Sequence, residues 1–136
     1  MKKILFLLAL SFATLLWGTD LKDVDPDQLL AMQKRGIPVI DIRTASEWRE
    51  TGIIPDSHPI TFFHTDGRYD LKDFLQRIQR LGIDRSKPFI LVCRSASRTK
   101  TLGNYLAGTL GYRVYELKGG ILNWRAQGKP LVAYRH

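Results

Sequence analysis

The chain has 136 residues, of which 44% are hydrophobic and 25% charged, which predicts one globular domain and argues against a second. Its formal net charge is +8, from 21 Lys and Arg against 13 Asp and Glu. This excess fits either a solvated basic face or attraction for a small anion. Because the basic residues are dispersed and no nucleic-acid motif is present, we expect no nucleic-acid partner.

The first seventeen residues, MKKILFLLALSFATLLW, place two lysines before fourteen uncharged residues, an order typical of a secretory signal peptide. As a helix, the uncharged stretch would span about 21 Å, less than the roughly 30 Å hydrocarbon core of a bilayer. We expect a signal peptide at 1–18, a mature domain at 19–136 and a periplasmic or otherwise exported protein. No stable membrane insertion of the mature chain is expected. An uncleaved N-terminal anchor is the alternative.

Helix and strand signals alternate along the rest of the chain. Asp25, Pro26 and Gln28 have the order of an N-cap, a first helical residue and a capping-box partner. This first helix is expected to stop at Gly36, since glycine commonly follows a helix end. The β-branched run PVIDI then predicts a buried strand at 38–42.

The middle of the chain repeats this alternation. Thr44 and Glu47 have capping-box spacing and predict a short helix that carries Trp48. The run ITFF predicts a second strand at 60–63. Apolar residues at helical spacing then predict an amphipathic helix over 70–82.

The last third predicts a strand at 88–92, a helix over 98–110 and a strand at 112–117. Gly119 and Gly120 predict a tight turn into a brief final helix. Strands that alternate with helices pair in parallel through right-handed crossovers. The predicted fold class is therefore α/β, a single-domain open parallel sheet with helices on both faces.

The only cysteine of the chain, Cys93, follows the apolar run FILV and precedes RSASR. Open parallel sheets bind ligands beyond the carboxyl ends of their strands. A loop that leads directly into a helix there forms an anion site, which favours a nucleophilic thiolate over an inert core cysteine. Cys93 is the predicted catalytic residue. The predicted substrate-binding residues supply charge, hydroxyl donors and an open rim: Arg94, Arg98, Ser95, Ser97 and Ala96.

Four segments, in order, resemble the motifs of the rhodanese (thiosulfate sulfurtransferase) family. CRSASR resembles its active loop, in which four residues separate the catalytic cysteine from a loop-closing position. VIDIRTASEW, TGIIPDSHPI and GGILNW resemble its early signature, the turn that follows and its late glycine-tryptophan motif. The turn departs from the family pattern, since Ile53 follows Gly52 where histidine is usual. The resemblance covers about residues 20–130 and points to the small exported single-domain type.

The resemblance implies a rhodanese-like sheet and a two-step transfer of sulfane sulfur. Cys93 would take the outer sulfur of a small anionic donor such as thiosulfate and pass it from a persulfide to a thiol or cyanide acceptor. Asp41 and Arg43 are expected to support the strand end and the loop wall. No organic cofactor is implied, and no metal is expected because the three histidines lack the spacing of metal ligands.

Other functions use related residues. A rhodanese-like module without turnover would bind or sense sulfur through the same loop. A cysteine-dependent phosphatase or arsenate reductase is disfavoured, because those enzymes place five residues between cysteine and arginine and this chain has four. A dithiol redox protein would need a second cysteine, which the sequence lacks.

Overall fold

The structure, a computed structural model, describes residues 18–135. These residues form five strands and five helices, which alternate along the chain. In chain order they are β1 (Lys22–Val24), α1 (Pro26–Lys34), β2 (Val39–Asp41), α2 (Ala45–Thr51), β3 (His58–Pro59), α3 (Leu71–Arg80), β4 (Phe89–Val92), α4 (Ser97–Gly108), β5 (Val114–Leu117) and α5 (Gly120–Ala126).

The strands form one sheet in the order β1-β5-β4-β2-β3, and every pairing is parallel. β4 lies in the centre, between β5 and β2. The residues that follow β4 therefore have neighbours from both adjacent strands at the carboxyl edge of the sheet. The predicted open parallel α/β sheet is confirmed.

Side chains alternate across the sheet and divide the core into two layers. Phe89, Leu91 and Cys93 pack in one hydrophobic cluster with buried residues of α3 and α4. Ile90 and Val92 pack in the other cluster with buried residues of α1 and α5. Helices cover both faces, as predicted, and Cys93 lies on the face that α3 and α4 cover.

The predicted caps of α1 and α2 are present. The Gln28 N–H donates to Asp25 Oδ1 at 2.8 Å, and the Asp25 N–H donates to Gln28 Oε1 at 2.9 Å. At α2, the Thr44 N–H donates to Glu47 Oε1 at 3.3 Å. These bonds satisfy N–H groups that the helix itself leaves unpaired. The local sequence therefore sets where both helices begin.

The strand predicted at 60–63 is wrong, because β3 consists of His58–Pro59. Two backbone N–H groups of the 60–63 segment, those of Ile60 and Phe62, still donate to carbonyls at the end of β2. The Phe62 ring, however, packs into the core cluster on the α3 and α4 side of the sheet, where its centroid lies 5.2 Å from that of Phe74 and 5.3 Å from that of Tyr69. Ring burial directs this segment away from regular strand pairing.

β1 has no strand signal in the sequence. Its three residues read KDV, and only Val24 is buried. The strand forms because it pairs with β5, with Asp23 opposite Glu116 and Val24 opposite Leu117. Tertiary pairing, rather than local propensity, makes this segment a strand.

Apart from Gly18, the predicted signal peptide lies outside the described residues. Between residues 18 and 135, no helix combines the length and the apolar character that a membrane span requires.

Candidate active site

Cys93 lies one residue beyond β4, at the carboxyl edge of the sheet. Only 1% of the surface of Cys93 is accessible to solvent. The loop that follows is short, and α4 begins at Ser97, one residue earlier than predicted. The side chains of Arg94, Ser95 and Ser97 are exposed around the buried sulfur. The thiol thus lies at the floor of a polar, basic loop.

Ala96 makes the tight reversal of this loop. Its φ of 75° and ψ of 4° place it in the left-handed region, which costs a non-glycine residue roughly 1–2 kcal/mol. The side chain is nevertheless buried. The surrounding contacts must therefore hold a conformation that the local sequence disfavours.

The turn before α5 holds the first half of the loop. The Ile121 N–H donates to the Cys93 carbonyl at 2.9 Å, and the Leu122 N–H donates to the Arg94 carbonyl at 3.1 Å. Gly120, at φ 60°, allows this approach, because a Cβ there would lie 2.4 Å from the Arg94 oxygen and 2.5 Å from the Cys93 oxygen. The predicted turn at Gly119 and Gly120 therefore contacts the loop directly.

These two bonds fix the direction of the N–H groups in the loop. In a trans peptide the C=O and N–H point to opposite sides. Because the Cys93 and Arg94 carbonyls face α5, the N–H groups of Arg94 and Ser95 point away from α5, toward the side on which the Cys93 side chain packs. Within residues 18–135, the N–H groups from Arg94 through Arg98 donate to no protein acceptor. The loop and the N-terminus of α4 together offer these donors to an anion.

Arg98 forms an ion pair with Glu47. Its Nη1 and Nη2 lie 2.7 and 2.8 Å from the two carboxylate oxygens of Glu47 on α2. The hydrogen bond from Arg98 lowers the pKa of Glu47 to about 2, against the opposing effect of burial, and Glu47 in turn raises the pKa of Arg98. Glu47 is the capping residue of α2 and also the partner that ties α2 to the start of α4.

Arg94 is the exposed cation of the loop. Within the described part of the chain, its side chain makes no ion pair and no hydrogen bond. Its charge remains available to a ligand, whereas the charge of Arg98 is balanced by Glu47. The two arginines, both predicted to bind substrate, thus differ in their electrostatic roles.

Asp41 and Arg43 form a buried bidentate pair at the end of β2. Arg43 Nε lies 3.0 Å from Asp41 Oδ1, and Arg43 Nη2 lies 2.8 Å from Oδ2. The same guanidinium donates to Thr51 Oγ1 at 2.9 Å and to the Gly52 carbonyl at 3.0 Å. The pair fastens the end of α2 to the sheet and supports the loop indirectly, since α2 carries Glu47.

Thr99 and Glu116 form hydrogen bonds next to Cys93 and belong to none of the motifs recognised in the sequence. The Cys93 thiol donates to Thr99 Oγ1 at 3.6 Å, and the Thr99 hydroxyl lies 2.6 Å from Glu116 Oε2. Glu116 is 1% exposed. The sequence signal that could have identified Glu116 is a carboxylate near the end of the predicted strand YRVYEL, directly between Tyr115 and Leu117. Across residues 18–135, no group of three or more His, Cys, Asp or Glu side chains is placed to hold a metal ion.

Comparison with known proteins shows the family of this chain. The sequence profile of the rhodanese-like domain matches residues 25–127. The chain belongs to the rhodanese-like domain family.

Individual relatives agree with this rhodanese-like assignment. The chain is 30% identical over 108 residues to thiosulfate sulfurtransferase GlpE of Pseudomonas savastanoi pv. phaseolicola, covering 79% of this chain and 91% of that protein. It is 32% identical over 95 residues to a sulfurtransferase of Allochromatium vinosum, covering 70% of this chain and 78% of that protein. The crystal structure of a rhodanese-related protein from Thermoplasma volcanium superposes with a TM-score of 0.61 at 21% identity, covering 83% and 99% of the two chains.

The ion pair between Glu47 and Arg98 predicts an acid-sensitive component of stability. The pKa of Glu47 is lowered in the folded protein, so its contribution is fully present above about pH 4.5 and is lost as the pH falls toward about 2. Urea unfolding across this range should show the free energy of unfolding of wild type exceeding that of Glu47→Gln near neutral pH, with the difference vanishing near pH 2. Glutamine retains the ability to cap α2.

A matched control for this measurement is Asp73→Asn, which breaks an exposed i,i+4 pair with Arg77. Exposed pairs contribute little, so its difference from wild type should stay small throughout. A constant difference between wild type and Glu47→Gln over the whole pH range would show that the ion pair adds no titrating stabilisation.

Proposed function

We propose that this rhodanese-like domain is a sulfurtransferase that carries sulfane sulfur as a persulfide on Cys93. The observation that supports this most is the single buried thiol at the carboxyl end of the central strand, beneath a loop whose N–H groups have no protein acceptor in the described chain. Such donors stabilise a thiolate before reaction and a persulfide after it.

In the first half-reaction, a small anionic donor such as thiosulfate enters the loop. The Arg94 charge attracts the dianion, and the loop N–H groups bind it. The Cys93 thiolate attacks the outer sulfur, so that a bond forms between Sγ and this sulfur while the sulfur–sulfur bond of the donor breaks. Sulfite leaves with the electron pair of that bond. Because Cys93 is 1% exposed, a terminal sulfur suits this geometry better than a bulky group.

In the second half-reaction, a thiophilic acceptor attacks the terminal sulfur of the persulfide. Cyanide forms a carbon–sulfur bond and leaves as thiocyanate; a thiolate acceptor forms a persulfide of its own. In both cases the bond between Sγ and the terminal sulfur breaks, and its electron pair restores the Cys93 thiolate. The cycle is nucleophilic covalent catalysis in two displacements.

The pairing of Arg98 with Glu47 supports sulfur transfer over phosphate-ester chemistry. A cysteine-dependent phosphatase uses the arginine that closes its loop to bind the tetrahedral oxyanion. Here that guanidinium donates bidentately to a carboxylate 2.7–2.8 Å away. The proposed sulfur transfer uses backbone donors and the exposed Arg94, both of which this loop provides.

Cys93→Ser should abolish transfer of sulfur from thiosulfate to cyanide, because serine keeps the approximate shape of the side chain but cannot form a persulfide. Steady-state assay of thiocyanate formation is the measurement. Circular dichroism and thermal unfolding serve as controls for the fold. Substantial turnover by a folded Cys93→Ser protein would exclude this mechanism.

Arg94→Ala should lower kcat/KM for thiosulfate about three- to tenfold, through a higher KM, because it removes the unpaired cation near the donor. The difference should shrink as salt is added, since salt screens exposed charges. The free energy of unfolding should change little. Steady-state kinetics at low and high ionic strength test this.

Arg98→Ala is the variant to compare with Arg94→Ala, because it removes the paired arginine of the same loop. It should lower the free energy of unfolding by about 1–2 kcal/mol, because it leaves the half-buried Glu47 carboxylate without its partner. Equal kinetics of Arg94→Ala and wild type at low salt would remove Arg94 from the account of donor binding.

A further inference from the structure

The contacts behind the loop form a continuous hydrogen-bonded group from the thiol to the protein surface. Cys93 donates to Thr99 Oγ1, which lies 2.6 Å from Glu116 Oε2. Glu116 Oε1 accepts from Lys100 Nζ at 2.6 Å. The Lys100 side chain is 58% exposed and lies 3.9 Å from Asp23 Oδ1. A buried carboxylate is therefore one hydroxyl away from the proposed nucleophile.

The sheet register explains this placement. Glu116 is opposite Asp23 on β1 and opposite Leu91 on β4, so these side chains share one face. Cys93 is two residues after Leu91 and lies on the same face. Thr99, in the first turn of α4, lies between the thiol and the carboxylate.

We propose that Glu116 is a positioning residue for the Cys93 thiolate, acting through the Thr99 hydroxyl, and that Cys93 and Glu116 share one proton through this hydroxyl. The proposal rests on the proposed role of Cys93 as nucleophile. It adds an account of where the proton of the thiol is held.

The Thr99 hydroxyl also lies 3.0 Å from the Ala96 carbonyl, which is an acceptor in either state. The hydrogen bonds among Cys93, Thr99 and Glu116 allow two arrangements of the shared proton. In the first, the Thr99 hydroxyl donates to the Glu116 carboxylate and accepts from the Cys93 thiol. In the second, protonated Glu116 donates to Thr99, and Thr99 donates to the Cys93 thiolate. The thiol proton moves to Thr99 Oγ1 while the hydroxyl proton moves to Glu116 Oε2. No bond between heavy atoms changes, and the net charge of the group stays constant.

The charges around this group favour a shared proton over two anions. Burial raises the pKa of Glu116, partly opposed by the hydrogen bonds from Lys100 and Thr99, and Asp23 on β1 raises it further. Arg98 and Lys100, both on α4, interact electrostatically with Cys93. Arg98 is already balanced by Glu47. One negative charge distributed between Cys93 and Glu116 therefore suits the surroundings.

The lone cysteine allows a direct test on the reduced full-length protein without any sulfur donor. Thiolate absorbance in the ultraviolet is followed against pH, and the spectrum of Cys93→Ser is subtracted to remove tyrosine ionisation. Glu116→Gln should move the midpoint to lower pH by about one unit, because its amide donates to Thr99 permanently and leaves the hydroxyl hydrogen for the thiolate. Thr99→Ser should retain the wild-type profile.

Thr99→Val removes the connecting hydroxyl and should move the midpoint to higher pH. In this background Glu116→Gln should cause a much smaller shift than in wild type. Thr99→Ala provides the same background should valine prevent folding. Asp23→Asn is the matched control, since it removes a neighbouring carboxylate without contact to Thr99, and it should shift the midpoint less than Glu116→Gln.

Three results would overturn the proposal: no shift in Glu116→Gln, an equal shift with and without the Thr99 hydroxyl, or an equal shift in Asp23→Asn. The last two would show a charge effect through space rather than a shared proton. Because the readout is thiolate formation, it is independent of sulfur transfer. A protein that shows the predicted profiles but forms no persulfide would keep this inference and refute the proposed function.

Discussion

The hydrogen bonds from the first turn of α5 to the carbonyls of Cys93 and Arg94 are the constraint on which the site depends. They use the acceptors of the loop, and the planarity of the peptide then directs the N–H groups of the same peptides the other way. Without this contact the loop would be free to turn its carbonyls toward the sulfur, where they would repel a thiolate. The close approach explains why a glycine with positive φ occupies position 120.

A second set of contacts sets the charge of the site. Two ion pairs link the sheet to the loop by way of α2. Arg43, which is paired with Asp41, binds the end of α2, and Glu47 on α2 binds Arg98 at the start of α4. Each of these ion pairs is electrically neutral, so the pairs stabilise the structure around the loop without attracting an anionic sulfur donor. In the proposed function, attraction of an anion is left to Arg94, to the backbone donors and to the dipole of α4. Within the loop, Arg98 is thus paired with a carboxylate, whereas Arg94 is exposed and is the cation that the proposed function assigns to the ligand.

The sequence predicts those features that depend on neighbouring residues. The caps of α1 and α2, the buried strands β2 and β4 and the position of Cys93 follow from local patterns, and the family resemblance orders them into one fold. β1 and the true extent of β3 depend on partner strands and on ring packing, which the local sequence does not encode. In the site, Glu47 and Arg98 are 51 positions apart and Thr99 and Glu116 are 17 apart. Such pairs become visible only once the chain is folded, and so the sequence presents Arg98 as a ligand-binding residue and gives no role to Glu116.

The central claim is that Cys93 accepts a single sulfur atom, and intact-mass analysis after treatment with thiosulfate tests it most directly. The reduced full-length protein should gain the mass of one sulfur atom, cyanide should remove it, and Cys93→Ser should gain nothing. An unchanged mass for folded wild-type protein, or the same gain in Cys93→Ser, would contradict the account.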